Sequence, residues 1–221
     1  MRLVLLRHAE TDLNTRDRFQ AQADTPLNAE GRRQARETAE RLTPGRWAAV
    51  HASPLTRAVD TARPAAERLG LPLATLDGLR ERHLGTIDGL DRTRYAAEHP
   101  EDMRRLLTDP GYGPPGGETG ARARGRFVAA LRALMAAGHH GPVLVVTHGG
   151  VLNLLRGELP GGPRGGMVGN CRAVELDAEP APDGGLRIER WRWDVAPHEC
   201  EDGPVAPSRT SSATARSTAL R

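Results

Sequence analysis

Leu3-Val4-Leu5-Leu6-Arg7-His8 and Val143-Leu144-Val145-Val146-Thr147-His148 decide the fold of this 221-residue chain. Each stretch is four consecutive apolar residues that stop at a polar turn containing a histidine. An apolar run without polar alternation suits a strand covered on both faces, as in a parallel sheet between helices. Ala48-Ala49-Val50-His51-Ala52, ending in Ser53-Pro54, predicts a third strand of the same kind. Helical patterns lie between them. Asn28 to Leu42 opens on an asparagine cap. Leu55 to Leu69 follows Ser53-Pro54, read as a serine cap with proline at the first helical position, and stops at Gly70. Thr119 to Ala137 carries Phe127, Leu131 and Leu134 on one stripe and stops at Gly138. Leu152 to Leu159 follows the Gly149-Gly150 turn. Arg172 to Leu176 and Leu186 to Trp193 predict two late strands around a turn-rich segment. Strands alternating with helices predict an α/β fold: three layers, α/β/α, with a mainly parallel central sheet.

The composition excludes several functions. There are 31 basic residues, all of them arginine, against 28 acidic ones, for a net charge of +3. No basic run stands out, so neither nucleic acid nor another polyanion is an expected partner. No stretch approaches the length of a membrane span. The Met1–Arg7 run is too short for a signal peptide, and two cysteines make neither a disulfide framework nor a zinc site. A cytoplasmic location and no metal or other cofactor are expected. The domain is expected to span residues 1–195. Residues 196–221, rich in Ser, Thr, Ala and Pro, read as a disordered C-terminal tail. A homodimer is neither demanded nor excluded.

In a doubly wound sheet, ligands bind where strands end and helices begin. Arg7-His8-Ala9-Glu10-Thr11, Ser53-Pro54-Leu55-Thr56-Arg57 and Thr147-His148-Gly149-Gly150 all fall at such ends. Taken singly, each is also an ordinary loop, helix start or turn. Together they bring two histidines and two arginines to one crevice, beside helix N-termini whose N–H groups favour anions. Such a pocket suits a tetrahedral dianion, and a phosphate fits.

The same residues carry a resemblance. The chain resembles the histidine phosphatase superfamily, with its phosphoglycerate-mutase-like fold. The matching residues are Arg7 to Thr11, Asn14, Thr25 to Asn28 leading to Gly31–Ala35, Ser53 to Ala58 with Thr61-Ala62, Leu79 to Gly85 with Gly89-Leu90, Gly116 to Thr119, and Thr147 to Gly150. The resemblance implies a phosphatase acting on a small phosphomonoester without metal. It assigns His8 as nucleophile, Arg7, Arg57 and His148 as ligands of the phosphoryl oxygens, and Glu81 as the proton donor and acceptor. It adds Asn14, Gln20, Arg82 and Gly149 as substrate-binding groups. The superfamily also contains phosphoglycerate mutases. Arg82 matches a mutase position, but Leu84 stands where mutases carry Tyr, and only Arg104-Arg105 imitates their cationic clamp. A phosphatase is therefore expected, with a mutase or a non-catalytic phospholigand-binding module as alternatives. Arg18 to Gln22, Leu79 to Gly85 and Gly165 to Asn170 are similar to the actinobacterial glucosyl-3-phosphoglycerate phosphatase type. Ala9 and Ala21 stand where many members carry Gly.

Overall fold

The computed structural model describes residues 1–162 and 166–200. β1 (Arg2–Arg7) is followed by α1 (Asp12–Thr15), α2 (Ala29–Glu40), β2 (Ala49–Ala52), α3 (Thr56–Leu69) and β3 (Leu73–Thr75). Then come α4 (Arg92–Glu98), α5 (Pro100–Thr108), α6 (Gly120–Ala136), β4 (Val143–Thr147), α7 (Gly149–Leu154), β5 (Ala173–Pro180) and β6 (Leu186–Val195). The six strands form one sheet in the order β3-β2-β4-β1-β5-β6. β3, β2, β4 and β1 run parallel, whereas β5 and β6 are antiparallel additions at one edge. The mixed, mostly parallel sheet of the expected α/β fold is present.

The apolar runs are continuous because both faces of the sheet are covered. Leu3, Leu5, Val143 and Val145 face one layer, where Phe127, Leu131 and Leu134 of α6 pack with Val151 and Leu152 of α7. Val4, Leu6, Leu144 and Val146 face the other, against the small side chains Ala58, Ala62, Ala65 and Ala66 of α3. The register pairs Arg7 with Thr147 and Ala52 with Val146, so β1, β4 and β2 end at one level. His8, His148 and Ser53 thus emerge side by side from the same rim.

Two expectations about element ends are corrected. Ser53 does not cap α3. The N-cap is Leu55, with no side-chain cap of its own, and the capping role falls to Asp24, whose carboxylate accepts from the Thr56 N–H and hydroxyl, each at 2.8 Å. That leaves the Ser53 hydroxyl available elsewhere. The folded chain also runs past residue 195. Pro197–Cys200 forms a 3-10 turn, and Cys200 is fully buried against the layer that contains Val4 and Leu6. The remainder of the expected tail, residues 201–221, lies outside the described residues. Among the described residues, no helix is long and apolar enough to cross a membrane.

Candidate active site

His8 follows β1 and is tied to β4 by its N–H, which donates to Thr147 O at 2.9 Å. Its side chain is 3% exposed. Nδ1 lies 2.7 Å from Ala9 O. A carbonyl only accepts, so Nδ1 carries the proton and Nε2 presents a lone pair. Arg57 Nε faces that lone pair at 3.3 Å. Burial, followed by the charges of Arg57 and Arg7, holds the His8 pKa well below its ordinary value, so the ring is neutral at pH 7.

Arg57 is fully buried at the start of α3. Its Nη1 and Nη2 donate to Ala23 O and Ala21 O, each at 2.7 Å. Desolvation pushes its pKa down to about 10, with Glu81 and Asp24 acting in the opposite direction. Ala21 presents its carbonyl from a left-handed conformation, φ 41°. A Gly adopts that conformation without strain, whereas Ala pays about 1–2 kcal/mol. Arg7 donates from Nη1 to Val168 O at 2.7 Å. Its buried Nε has no partner among the described residues, and burial lowers its pKa.

His148 is fully buried, its ring 5.2 Å from that of His8 between centroids. Its Nε2 lies 2.7 Å from Ser53 Oγ. That oxygen already accepts from Leu55 N at 3.3 Å. The Ser53 hydroxyl proton has no other acceptor among the described residues, so Ser53 donates to Nε2 and the ring proton of neutral His148 sits on Nδ1. Nδ1 is buried without a partner among the described residues. Burial, then the charge of Arg57, keeps this ring neutral too.

Glu81 reaches the same rim from the segment after β3. Its Oε2 accepts from Gly150 N at 2.7 Å, and its Oε1 accepts from Val151 N at 2.9 Å and Arg82 N at 2.8 Å. Its charge acts on both Arg7 and Arg57. Gly150 is required by this contact, because a Cβ there would lie 2.4 Å from Glu81 Oε1. Gly149 leaves room for the neighbouring side chains: a Cβ there would come 3.3 Å from Arg7 Nε and 2.9 Å from the Met167 methyl. Gly150→Ala is expected to leave thermal stability nearly unchanged, since Ala suits a helix and the carboxyl can swing aside. It should lower kcat on an alkyl phosphate by about 10–100-fold as Glu81 is displaced. Melting and steady-state assays on one preparation check this.

The structure brings His8, Arg7, Arg57, His148, Glu81 and Gly149 together. Asn14 lies at the edge. Its Oδ1 accepts from Thr11 N and from Asn170 Nδ2, so Nδ2 is the donor it can offer. Gln20 is buried, and its Oε1 has no partner among the described residues. Arg82 is turned away. Its Nε, Nη1 and Nη2 donate to Glu118 O, Leu106 O and Tyr112 O, and it latches the segment before α6 rather than facing the pocket. The Arg104-Arg105 pair is likewise engaged, with Glu101 and Asp109. Sequence reasoning missed Ser53 as a partner of His148. It also missed Asn170, whose Nδ2 donates to His8 O at 2.8 Å, and Gly150. Among the described residues, no group of three metal-ligating side chains occurs.

Residues 3–194 match the model of the histidine phosphatase superfamily, branch 1. The chain belongs to that superfamily. A glucosyl-3-phosphoglycerate phosphatase of Mycolicibacterium vanbaalenii is 35% identical over 210 residues, covering 88% of this chain and 93% of that protein. An uncharacterized phosphatase of Bacillus subtilis is 34% identical over 160 residues, covering 72% and 78%. A solved structure of a mycobacterial glucosyl-3-phosphoglycerate phosphatase with VO3 is 34% identical, with a TM-score of 0.74 over 88% of this chain and 97% of that one. As a histidine phosphatase, the chain is a hydrolase of phosphomonoesters.

Proposed function

We propose that this phosphatase works without metal through a phosphohistidine on His8, acting on a small alkyl phosphate of the glucosyl-3-phosphoglycerate type. The observation that carries the reading is the pair of buried, unpartnered nitrogens, Arg7 Nε and His148 Nδ1, flanking a histidine whose Nε2 is unprotonated. Orphaned buried donors are costly unless an acceptor fills the space between them. A phosphoryl group supplies three acceptor oxygens.

His8 Nε2 attacks phosphorus in line, forming the N–P bond as the P–O bond breaks. Arg7, Arg57 and His148 donate to the equatorial oxygens, with the α7 N-terminus at Gly149 adding partial positive charge. Glu81 gives a proton to the leaving alkoxide. It then takes one from the water that attacks phosphorus, and His8 leaves as the neutral ring. Asn14, with Asn170 behind it, adds a donor at the pocket edge, and Gln20 contacts the rest of the substrate. The arginines supply the charge a metal would otherwise bring. The reading includes a cytoplasmic location, supported by two free cysteines, Cys171 and Cys200.

The mutase alternative is disfavoured. Arg82, Arg104 and Arg105, the cations it would need, are engaged within the protein. A binding-only module is disfavoured because all five groups of the machinery are present and assembled.

The test is rapid acid-free quenching during turnover of a labelled alkyl phosphate in EDTA. A base-stable, acid-labile phosphoprotein should accumulate and turn over at kcat. Metal-dependent turnover, or a phosphoprotein stable to acid, would overturn the reading.

A further inference from the structure

We propose that Arg126, in the middle of α6, is the positioning residue that holds Glu81 at its place over the phosphate pocket. The inference rests on Glu81 being the proton donor. Arg126 does not enter the pocket. Its guanidinium lies beneath the segment that carries Glu81 and grips it by the backbone. Nη1 donates to Gly78 O at 3.0 Å and to Arg80 O at 2.6 Å, and Nη2 donates to Glu81 O at 2.8 Å. Three carbonyls within four residues thus share one side chain. The five donors of a rigid planar fork serve all three carbonyls and Glu118 at once, whereas the three N–H groups of an ammonium, set on one nitrogen, are too few.

The fork is itself aimed. Glu118 accepts from Arg126 Nη2 at 2.5 Å and from Nε at 3.2 Å, the bidentate arrangement that fixes a guanidinium plane. The same Glu118 Oε1 accepts from His83 N at 3.0 Å, and Glu118 N donates to His83 O at 2.9 Å. Glu81 is therefore bracketed. The residues before it hang from Arg126, and the residues after it hang from the carboxylate that aims Arg126. The segment is also pressed onto the helix, since a Cβ at Gly78 would come 2.8 Å from Ala130 Cβ and 2.9 Å from Arg126 O. A further anchor comes from the mouth of the site, where Gln22 Nε2 donates to Glu81 O at 2.9 Å.

The arrangement matters because Glu81 lies just past a single 3-10 turn, Asp77–Leu79, and belongs to no helix or strand that would fix its carboxyl at the α7 N-terminus. Proton transfer is sensitive to displacements of an ångström. Without the Arg126–Glu118 clamp, the three carbonyls would turn toward other donors, and the carboxyl would lose its fixed distance to the leaving oxygen.

A merely structural ion pair and a positioning clamp predict different kinetics. Leaving groups that depart as stable aryloxides need no proton, whereas alkoxides do. Four variants, Arg126→Met, Arg126→Lys, Glu118→Gln and Glu81→Gln, are compared on glycerol phosphate and p-nitrophenyl phosphate. For Arg126→Met, kcat should fall about 100-fold on glycerol phosphate and less than about threefold on the aryl ester, with KM nearly unchanged. Arg126→Lys keeps the charge but not the fork and should show the same pattern at smaller amplitude. Glu118→Gln, which keeps the shape and removes the charge, should do likewise and serves if Arg126→Met does not fold. Equal losses on both esters in the Arg126 and Glu118 variants, with Glu81→Gln selective for the alkyl ester, would overturn this inference alone. Equal losses in Glu81→Gln would instead remove Glu81 as the proton donor.

Discussion

His8→Asn should lower kcat by at least about 10⁴-fold while the protein stays folded and still binds inorganic phosphate. Asn offers no nucleophilic nitrogen, but its amide can still donate to Ala9 O, which holds Nδ1 at 2.7 Å in the native chain. The substitution exchanges one neutral, buried side chain for another. No unpaired charge is left behind, because burial and the neighbouring arginines already keep His8 neutral. The proposed phosphate ligands, Arg7, Arg57 and His148, are untouched. Loss of turnover with retained phosphate binding separates a missing nucleophile from a collapsed pocket. Steady-state assays and phosphate titration on the same melting-verified sample make the measurement. Residual turnover above a few per cent of the parent, on either an alkyl or an aryl phosphate, would exclude His8 as the attacking group.

The core of the fold was legible because its strands are covered on both sides. Leu3–Leu6 and Val143–Val146 read as continuous apolar runs only in a sheet sandwiched between helices, and α6 and α3 provide the two covers. His8 and His148 were legible as candidate site residues for a related reason, since strand ends bind ligands in such sheets. Elements without a long apolar period were not legible. β3 spans three residues, and α4 and α5 carry their charges on short exposed turns. A helix start was nonetheless written at Pro100, with Glu101 and Asp102 in the first turn.

Side-chain direction was the harder part of the site. Ser53 before Pro54 reads locally as a cap. The cap comes instead from Asp24, thirty-two residues away along the chain, and Ser53 turns to His148. The resemblance makes Arg82, beside Glu81, a third substrate cation after Arg7 and Arg57, but neighbours on a non-helical segment need not share a side. Glu81 faces the α7 N-terminus, and Arg82 faces three carbonyls. Arg126 is one of several arginines on α6, and nothing in its sequence neighbourhood sets it apart from Arg122 or Arg124. Its role appears only when the helix is laid against residues 78–81.

Arg57→Met should reduce kcat/KM by about 10³-fold and move its acid limb to higher pH. The rate loss follows from removing a proposed donor to the transferring phosphoryl group and from releasing Ala21 O and Ala23 O, which Arg57 holds. Arg57→Lys should rescue little, because an ammonium cannot reach both carbonyls and His8 Nε2 together. The pH shift has a fixed sign. Attack needs an unprotonated His8, so activity falls as pH drops through the folded-state pKa of that ring. Burial depresses this pKa first and the Arg57 charge second, so removing the charge raises it. Stability responds to the same groups. His8 and His148 both have folded pKa values well below 6.5. Below about pH 6.5 the unfolded chain takes up protons that the folded chain refuses, and stability falls as pH falls, by up to about 1.4 kcal/mol per pH unit for each ring, until the folded pKa values are reached. In Arg57→Met that acid-side slope should end at a higher pH, even though the variant starts from lower stability after losing donors to the Ala21 and Ala23 carbonyls. Profiles of kcat/KM and denaturant midpoints from about pH 4 to 8 test both expectations together. An acid limb that stays in place after the charge is removed would show that Arg57 does not hold the His8 ring neutral.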